Sequence, residues 1–256
     1  MHSAQKYVNQ HLKPTLSQNI SIKHLVLTAD QATKLRFALV EDESDYIFSA
    51  CISIADALQA LERSIFTWAT VKLYYAMFYL TRALLASYGI AIIYESTKAF
   101  IIPCQPGSVP VKRDGTTHKV VLETFTKLYP NSPISSQLIG AVAASDWLMA
   151  RREEANYKNS RFSEPDPPPH FRSIVEIGVR RSLAAYLKDE TYLYAFSEAH
   201  AMLALPVEAL KLAVKRLHTT RTGQIFCDQD SRYLSSLFFD KAGPFPEMAK
   251  MFAGKL

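Results

Sequence analysis

The chain is poor in several residue types and patterns, and each shortage excludes something. It has only 8 glycines among 256 residues, too few for the many tight turns of an all-β fold. Its three cysteines, Cys51, Cys104 and Cys227, are odd in number and far apart. They form no CxxC pair and no Cys/His cluster, which argues against a zinc site or a disulfide framework. Free thiols suit a reducing compartment, so a cytoplasmic location is expected. No apolar run is long enough to span a membrane. The most apolar stretch, Ile65 to Ile93, is broken by Lys72 and Arg82 and is rich in tyrosine, as a buried helix would be. The residues after Met1 lack the apolar centre of a signal peptide. Runs of five or more like charges are also missing, so there is no charged nucleic-acid-binding tail. The sequence contains no GxGxxG, P-loop, HExxH or GxSxG pattern, and neither a cofactor nor a metal is expected.

What is there is ordinary globular material, 48% hydrophobic and 21% charged, with a formal charge of +5. A mild positive excess is compatible with acidic ligands or nucleic acid but speaks mainly to solubility. Residues 1–42 read as an N-terminal arm: a short helix around Ala4–Leu12 ending near Pro14, then Ile20–Thr28 as a strand or an extended piece. From Ser44, taken as an N-cap, Ile47, Cys51, Ile54, Leu58 and Leu61 recur at helical spacing. A second helix follows from Ser64, with Ala69, Leu73, Leu80 and Leu84 on one stripe and Gly89 at its end. The two should pack as an antiparallel hairpin. Ala91–Arg113 reads as a long connection with short extended pieces. A helix is expected over His118–Leu128, capped by Thr117, and a third long helix from Ser135 or Ser136 to about Tyr157. Three prolines, 167–169, mark the clearest break. Helices are then expected near 172–188, 191–203, 207–219, 231–240 and 247–252. The predicted class is mainly α: an antiparallel helical bundle over 43–160, a Pro-rich linker over 161–170, and a C-terminal helical extension over 171–256.

Three blocks carry a family resemblance. Tyr74-Tyr75-Ala76-Met77-Phe78, followed by Arg82-Ala83-Leu84-Leu85 and Gly89, is similar to the second helix of prokaryotic HEPN proteins. Thr117-His118-Lys119 with Val120, Val121 and Phe125 resembles a helix that follows a Lys/His pair in that group. Arg151-Arg152-Glu153-Glu154-Ala155-Asn156-Tyr157 resembles the ending of its last core helix. Together they cover roughly residues 44–160. The resemblance implies a helical bundle and a homodimer with its site at a two-fold seam. It also implies a role in prokaryotic defence or toxin–antitoxin systems, binding RNA or a nucleotide. Many members are metal-independent ribonucleases in which an Arg and a His share the end of the last core helix. There His moves a proton of the RNA 2′-hydroxyl and Arg stabilises charge on the phosphate.

This chain departs from that pattern. Asn156 and Tyr157 stand where the histidine belongs; asparagine does not titrate, and tyrosine is a poor base at neutral pH. The expected catalytic set is Arg152, Asn156 and Tyr157, which would serve a metal-independent ribonuclease activity if the chain has one, with Arg151, His118, Lys119, Arg82 and Tyr75 as ligand-binding residues. Arg152 and Asn156 are i,i+4 and should share a helix face, suited to holding a phosphate without cleaving it. The plainer alternative is a solvated helix end with its charges paired among themselves. Arg113 and His118 have ribonuclease spacing but lie in a loop entering a helix. His170 follows a stiff proline run that could place it near the core. His200 and His218 read as residues of exposed helix faces. A competing reading is a non-enzymatic dimerisation scaffold that holds a protein partner through residues 171–256.

Overall fold

The computed structural model describes residues 1–17, 20–158, 160–220, 225–238, 240 and 243–252. It is mainly helical, about 65% helix, with a small antiparallel sheet. Two compact units divide the chain: Met1–Tyr46 with Thr81–Phe125, and Ile47–Leu80 with Thr126–Leu256. This division does not follow the segment boundaries read from the sequence.

The first unit opens with α1 (Ser3–Tyr7), which passes into a π-helical turn, Val8–Leu12, and a 3-10 turn, Lys13–Thr15. Ile22–His24 is another 3-10 turn, where a strand or extended piece was expected. The first long helix, α2 (Ala29–Glu62), starts well before Ser44. Its start is a capping box: Gln31 N–H donates to Thr28 Oγ1, and Thr28 N–H donates back to Gln31 Oε1. Ser44 lies inside the helix. The unit also holds the C-terminal end of α3 (Phe66–Ser87). Gly89, at φ 76°, ends that helix, and Arg36 donates to the carbonyls of Ala86 and Ser87 in its last turn.

The connection after α3 is a sheet of three antiparallel strands, β1 (Ile90–Glu95), β2 (Lys98–Pro103) and β3 (Val111–Arg113), in the order β1-β2-β3. This sheet forms in the connection, and the described residues of the N-terminal arm contribute no strand to it. Gln5 closes part of the β1 edge: its amide exchanges two hydrogen bonds with the backbone of Tyr94, satisfying groups that an edge strand otherwise leaves bare. Val8, Leu12, Leu35, Leu39, Ile93, Phe100 and Ile102 form one buried core with Ile22, Leu25 and Leu27. The N-terminal segment is therefore built into this core. The helix α4 (Thr117–Leu128) follows.

In the second unit α2 and α3 are joined by a tight turn in which Ser64 takes φ 57°. The Asp56–Lys72 ion pair, 2.8 Å, spans the two helices symmetrically about that turn, so this part is an antiparallel hairpin. The predicted helix from Ser135 or Ser136 is replaced by a small hairpin, β4 (Leu138–Ile139) and β5 (Val142–Ala143). It turns at Gly140, φ 59°. The helix α5 (Ala144–Glu153) begins only after it and runs into a π-helical turn, Glu154–Lys158. The helices α6 (Pro169–Ile177) and α7 (Val179–Lys188) are separated by Gly178 at φ 99°. No helix forms over 191–200; instead α8 runs unbroken from Ala201 to Thr220 through Pro206. Residues 201–210 of α8 are all buried, so it is the central helix of this unit. The chain continues with α9 (Asp228–Leu237) and α10 (Pro244–Phe252).

Candidate functional site

The expected site residues fall into both units. Arg151, Arg152, Asn156, Tyr157 and Tyr75 belong to the second; Arg82, His118 and Lys119 belong to the first. Within the first unit the three serve local roles. Arg82 is buried, its guanidinium 4.5 Å from the Tyr46 ring centroid. Close by, Asp42 accepts from the Ser3 and Ala4 N–H groups. Lys119 is exposed and pairs with Glu123 across one helical turn, 3.6 Å. His118 is half-buried in the first turn of α4, whereas Arg113 is exposed on β3.

The end of α5 is where a site takes shape. Consecutive helical residues point about 100° apart, so Arg151 and Arg152 serve different surfaces. Arg152 reaches α3: its guanidinium lies 5.6 Å from the Tyr74 ring and hydrogen-bonds Tyr75. It also lies 5.2 Å from the Tyr157 ring, with Nη2 3.4 Å from the Tyr157 hydroxyl. The π-helical turn explains that last contact. With i→i+5 bonding, the residue that comes round beside Arg152 is Tyr157, not Asn156 as α-helical spacing predicts. Asn156 is half-buried in the same turn, and Tyr157 is 71% exposed. Burial works against the charge on Arg152, but the Tyr75 hydroxyl and the surrounding phenols offset it and hold its pKa above the ordinary value. Burial pushes the Tyr74 phenol up to about 12. The arrangement is a fixed cation among tyrosine rings, with one ring open to solvent.

Arg151 serves a cavity of about 260 Å³. Its walls are Thr67 and Thr70 from α3, Arg151, Glu154 and Ala155 from the α5 end, and residues 161–163 and 168–170 from the Pro-rich segment. Arg151 Nη1 pairs with Glu154 at 3.0 Å, while its Nε is buried with no hydrogen-bond partner. His170 is 7% exposed and packs against Trp147 and Phe171. Its tautomer follows from its neighbour. Thr70 Oγ1 donates to the Phe66 carbonyl at 3.0 Å, so it accepts from His170 Nε2–H at 3.1 Å. Nδ1 is then a bare acceptor, buried and unpartnered. Burial, with the charge of Arg151 second, lowers the His170 pKa to about 4, so the ring is neutral at pH 7.

One further contact secures the Pro-rich segment. Glu164 accepts from Thr67 N–H at 2.7 Å and from Thr67 Oγ1 at 2.8 Å. It thereby caps α3 from 97 residues away. Burial raises its pKa, but the donors at Thr67 outweigh that and leave it below the ordinary value.

The structure thus joins Arg152, Tyr157 and Tyr75 in one surface and assigns Arg151 to another beside His170, Thr70 and Arg161. Proline stiffness was the only sequence signal for His170; Thr70 and Arg161 had none. His200 does not sit on an exposed helix face: it precedes α8 and its Nδ1 is 2.8 Å from the Tyr186 hydroxyl. Among the described residues no group of three His, Cys, Asp or Glu is placed to hold a metal ion. No helix among them is long and apolar enough to cross a membrane. Comparison with family models, with curated proteins and with solved structures returns no match.

Proposed function

We propose that this chain is a HEPN-like protein of the prokaryotic defence or toxin–antitoxin kind that binds single-stranded RNA at the α5 end. The observation that carries the reading is the Arg152 guanidinium fixed among Tyr74, Tyr75 and the exposed Tyr157. Aromatic rings accept stacked bases of any sequence, and arginine adds contacts to phosphate and to base faces. Arg151, Arg152, Lys158 and Arg161 supply positive charge within eleven residues. Two copies of this surface brought together in a homodimer would make a longer basic groove.

The reading is binding rather than cleavage. Arg152, Asn156 and Tyr157 include no group suited to move a proton at neutral pH. The test is fluorescence anisotropy with a short labelled single-stranded RNA, at low and at moderate salt. The protein should bind, more weakly as salt rises. Arg152→Ala and Tyr157→Ala should each weaken binding roughly tenfold, in line with about 1–3 kcal/mol per stacked base. RNA recovered intact after incubation with EDTA identifies a binding module. No binding by the wild-type protein refutes the reading and favours a scaffold that holds a protein partner.

A further inference from the structure

We propose that the exposed stripe of α3 is a stacking platform for about four consecutive unpaired RNA bases, continuous with the Arg152 surface. The proposal rests on the reading of that surface as an RNA site and adds Trp68, Lys72, Tyr79 and Phe162 to it.

The stripe is narrow. Over residues 66–80 of α3 every residue is buried except Trp68, Lys72, Tyr75 and Tyr79. Their spacing of four, three and four confines them to about 60° of the helix surface. A helix buried on its other sides ordinarily turns polar and charged residues to water along such a stripe. Here three of the four positions carry aromatic rings. Trp68 is 48% exposed, and its indole meets the equally exposed Phe162 edge-on at 6.0 Å. The Tyr75 and Tyr79 rings are half-buried, 6.3 Å apart, with their planes inclined by 33°.

Charge selects the occupant. Lys72 stands mid-stripe, between Trp68 and Tyr75. Lysine is depleted at the centre of protein interfaces, but it suits the phosphate that joins two stacked bases. Its 2.8 Å pair with Asp56 is exposed on both sides, so it is weak and can give way to phosphate. Arg152 enters from the α5 end through its hydrogen bond to Tyr75 and holds Tyr157 against its guanidinium. Trp68 with Phe162 thus marks one end of the path and Tyr79 the other, with Tyr75 and Arg152 between. From Trp68 to Tyr79 the helix advances about 16 Å. At one base per ring, Trp68, Tyr75, Tyr79 and Tyr157 take about four bases. A duplex keeps its base faces stacked on one another and cannot use the platform.

The two tryptophans supply the test. Trp68 is exposed and Trp147 is buried, so quenching by a stacked base reports on Trp68. The full chain is titrated with labelled oligouridylates of two to eight nucleotides and with a fully paired RNA duplex, read by tryptophan emission and by anisotropy. Single strands should quench the emission, with affinity climbing up to at least four nucleotides, and the duplex should leave it unchanged. Trp68→Ala and Tyr79→Ala should each bind roughly tenfold more weakly. Trp68→Phe, which keeps a ring, should lose the quenching but little affinity. Bound RNA that leaves the emission untouched overturns the proposal, as does a dinucleotide that binds as tightly as the octanucleotide. So does unchanged affinity in both Trp68→Ala and Tyr79→Ala. Dimers that dissociate in Trp68→Ala, with no quenching by RNA, overturn it and assign the stripe to self-association. In each of these cases binding that still depends on Arg152 leaves the Arg152 surface standing, whereas a wild-type protein that binds no RNA overturns both readings.

Discussion

Removal of the Glu164 carboxylate tests how the Pro-rich segment is held. The first N–H groups of α3 have no helical partner, and the residue before the helix, Ile65, has no side-chain acceptor. Glu164 supplies one, taking Thr67 N–H at 2.7 Å and Thr67 Oγ1 at 2.8 Å. A cap is worth about 0.5–2 kcal/mol, and a negative charge at a helix N-terminus adds about 0.3–1 kcal/mol. Glu164 is partly exposed, so screening trims the second figure. Glu164→Ala should cost about 2 kcal/mol, and Glu164→Gln, which keeps an acceptor but not the charge, about 1 kcal/mol. For a chain of this size each kcal/mol moves the melting temperature by roughly 2–4 °C. Glu164→Ala should therefore melt about 4–8 °C low.

The pH dependence has a definite sign. The folded pKa of Glu164 lies below its unfolded value, so its contribution is complete above the unfolded pKa and is lost as pH falls through the folded one. The gap between wild type and Glu164→Gln should be full at pH 7 and close in acid below the ordinary glutamate range. Thermal melts across pH measure it. A Glu164→Ala protein as stable as wild type at pH 7, or a gap that widens in acid, refutes the capping argument.

His170 and His2 both have pKa values lowered to about 4, chiefly by burial. The unfolded chain takes up these protons first, so stability should fall as pH drops from about 6.5 to 4, by on the order of 3 kcal/mol for His170; urea melts of wild type and His170→Gln check it, the variant being flatter. Gly89 sits at φ 76°, and a Cβ there would come within 2.8 Å of Arg36 Nη1. Gly89→Ala should cost roughly 1–2 kcal/mol in a denaturation curve, more if Arg36 leaves the carbonyls of Ala86 and Ser87. Cys51 is buried with its thiol pKa pushed up, Cys104 is half-buried and raised to about 12 by burial, and Cys227 is exposed. A thiol reagent should label Cys227 quickly and Cys51 only on unfolding, as peptide mapping would show.

The helices with an uninterrupted apolar stripe, such as the 47–61 part of α2, were legible because burial imposes helical spacing on the sequence. The start of α2 is obscured in the sequence because Glu41, Asp42 and Glu43 interrupt its apolar stripe just before Ser44. Asp42 and Glu43 are in fact buried, and Asp42 takes the first N–H groups of α1. The capping box at Thr28 and Gln31 was nonetheless written in the sequence. The β1–β2 hairpin lacks the usual turn residues: Ser96 takes φ 54° where glycine or asparagine is the common choice. At 135–143 helix-favouring residues outweighed the turn signal of Gly140. Pro206 suggested a break that the buried α8 does not make, because tertiary burial outweighs the proline there.

The site was half legible for related reasons. Residue spacing paired Arg152 with Asn156, whereas its contact is with Tyr157 and depends on a π-helical turn that spacing does not reveal. The cavity joins residues from α3 and the Pro-rich segment that are about a hundred positions apart, such as Thr70 and His170. Short-range patterns carry no information on such a pairing.

The most direct test of the account is RNA binding by wild type and Arg152→Ala, measured side by side by anisotropy at low salt. Wild type should bind saturably, and the variant roughly tenfold more weakly. Failure of wild type to bind, or equal binding by both proteins, would contradict it.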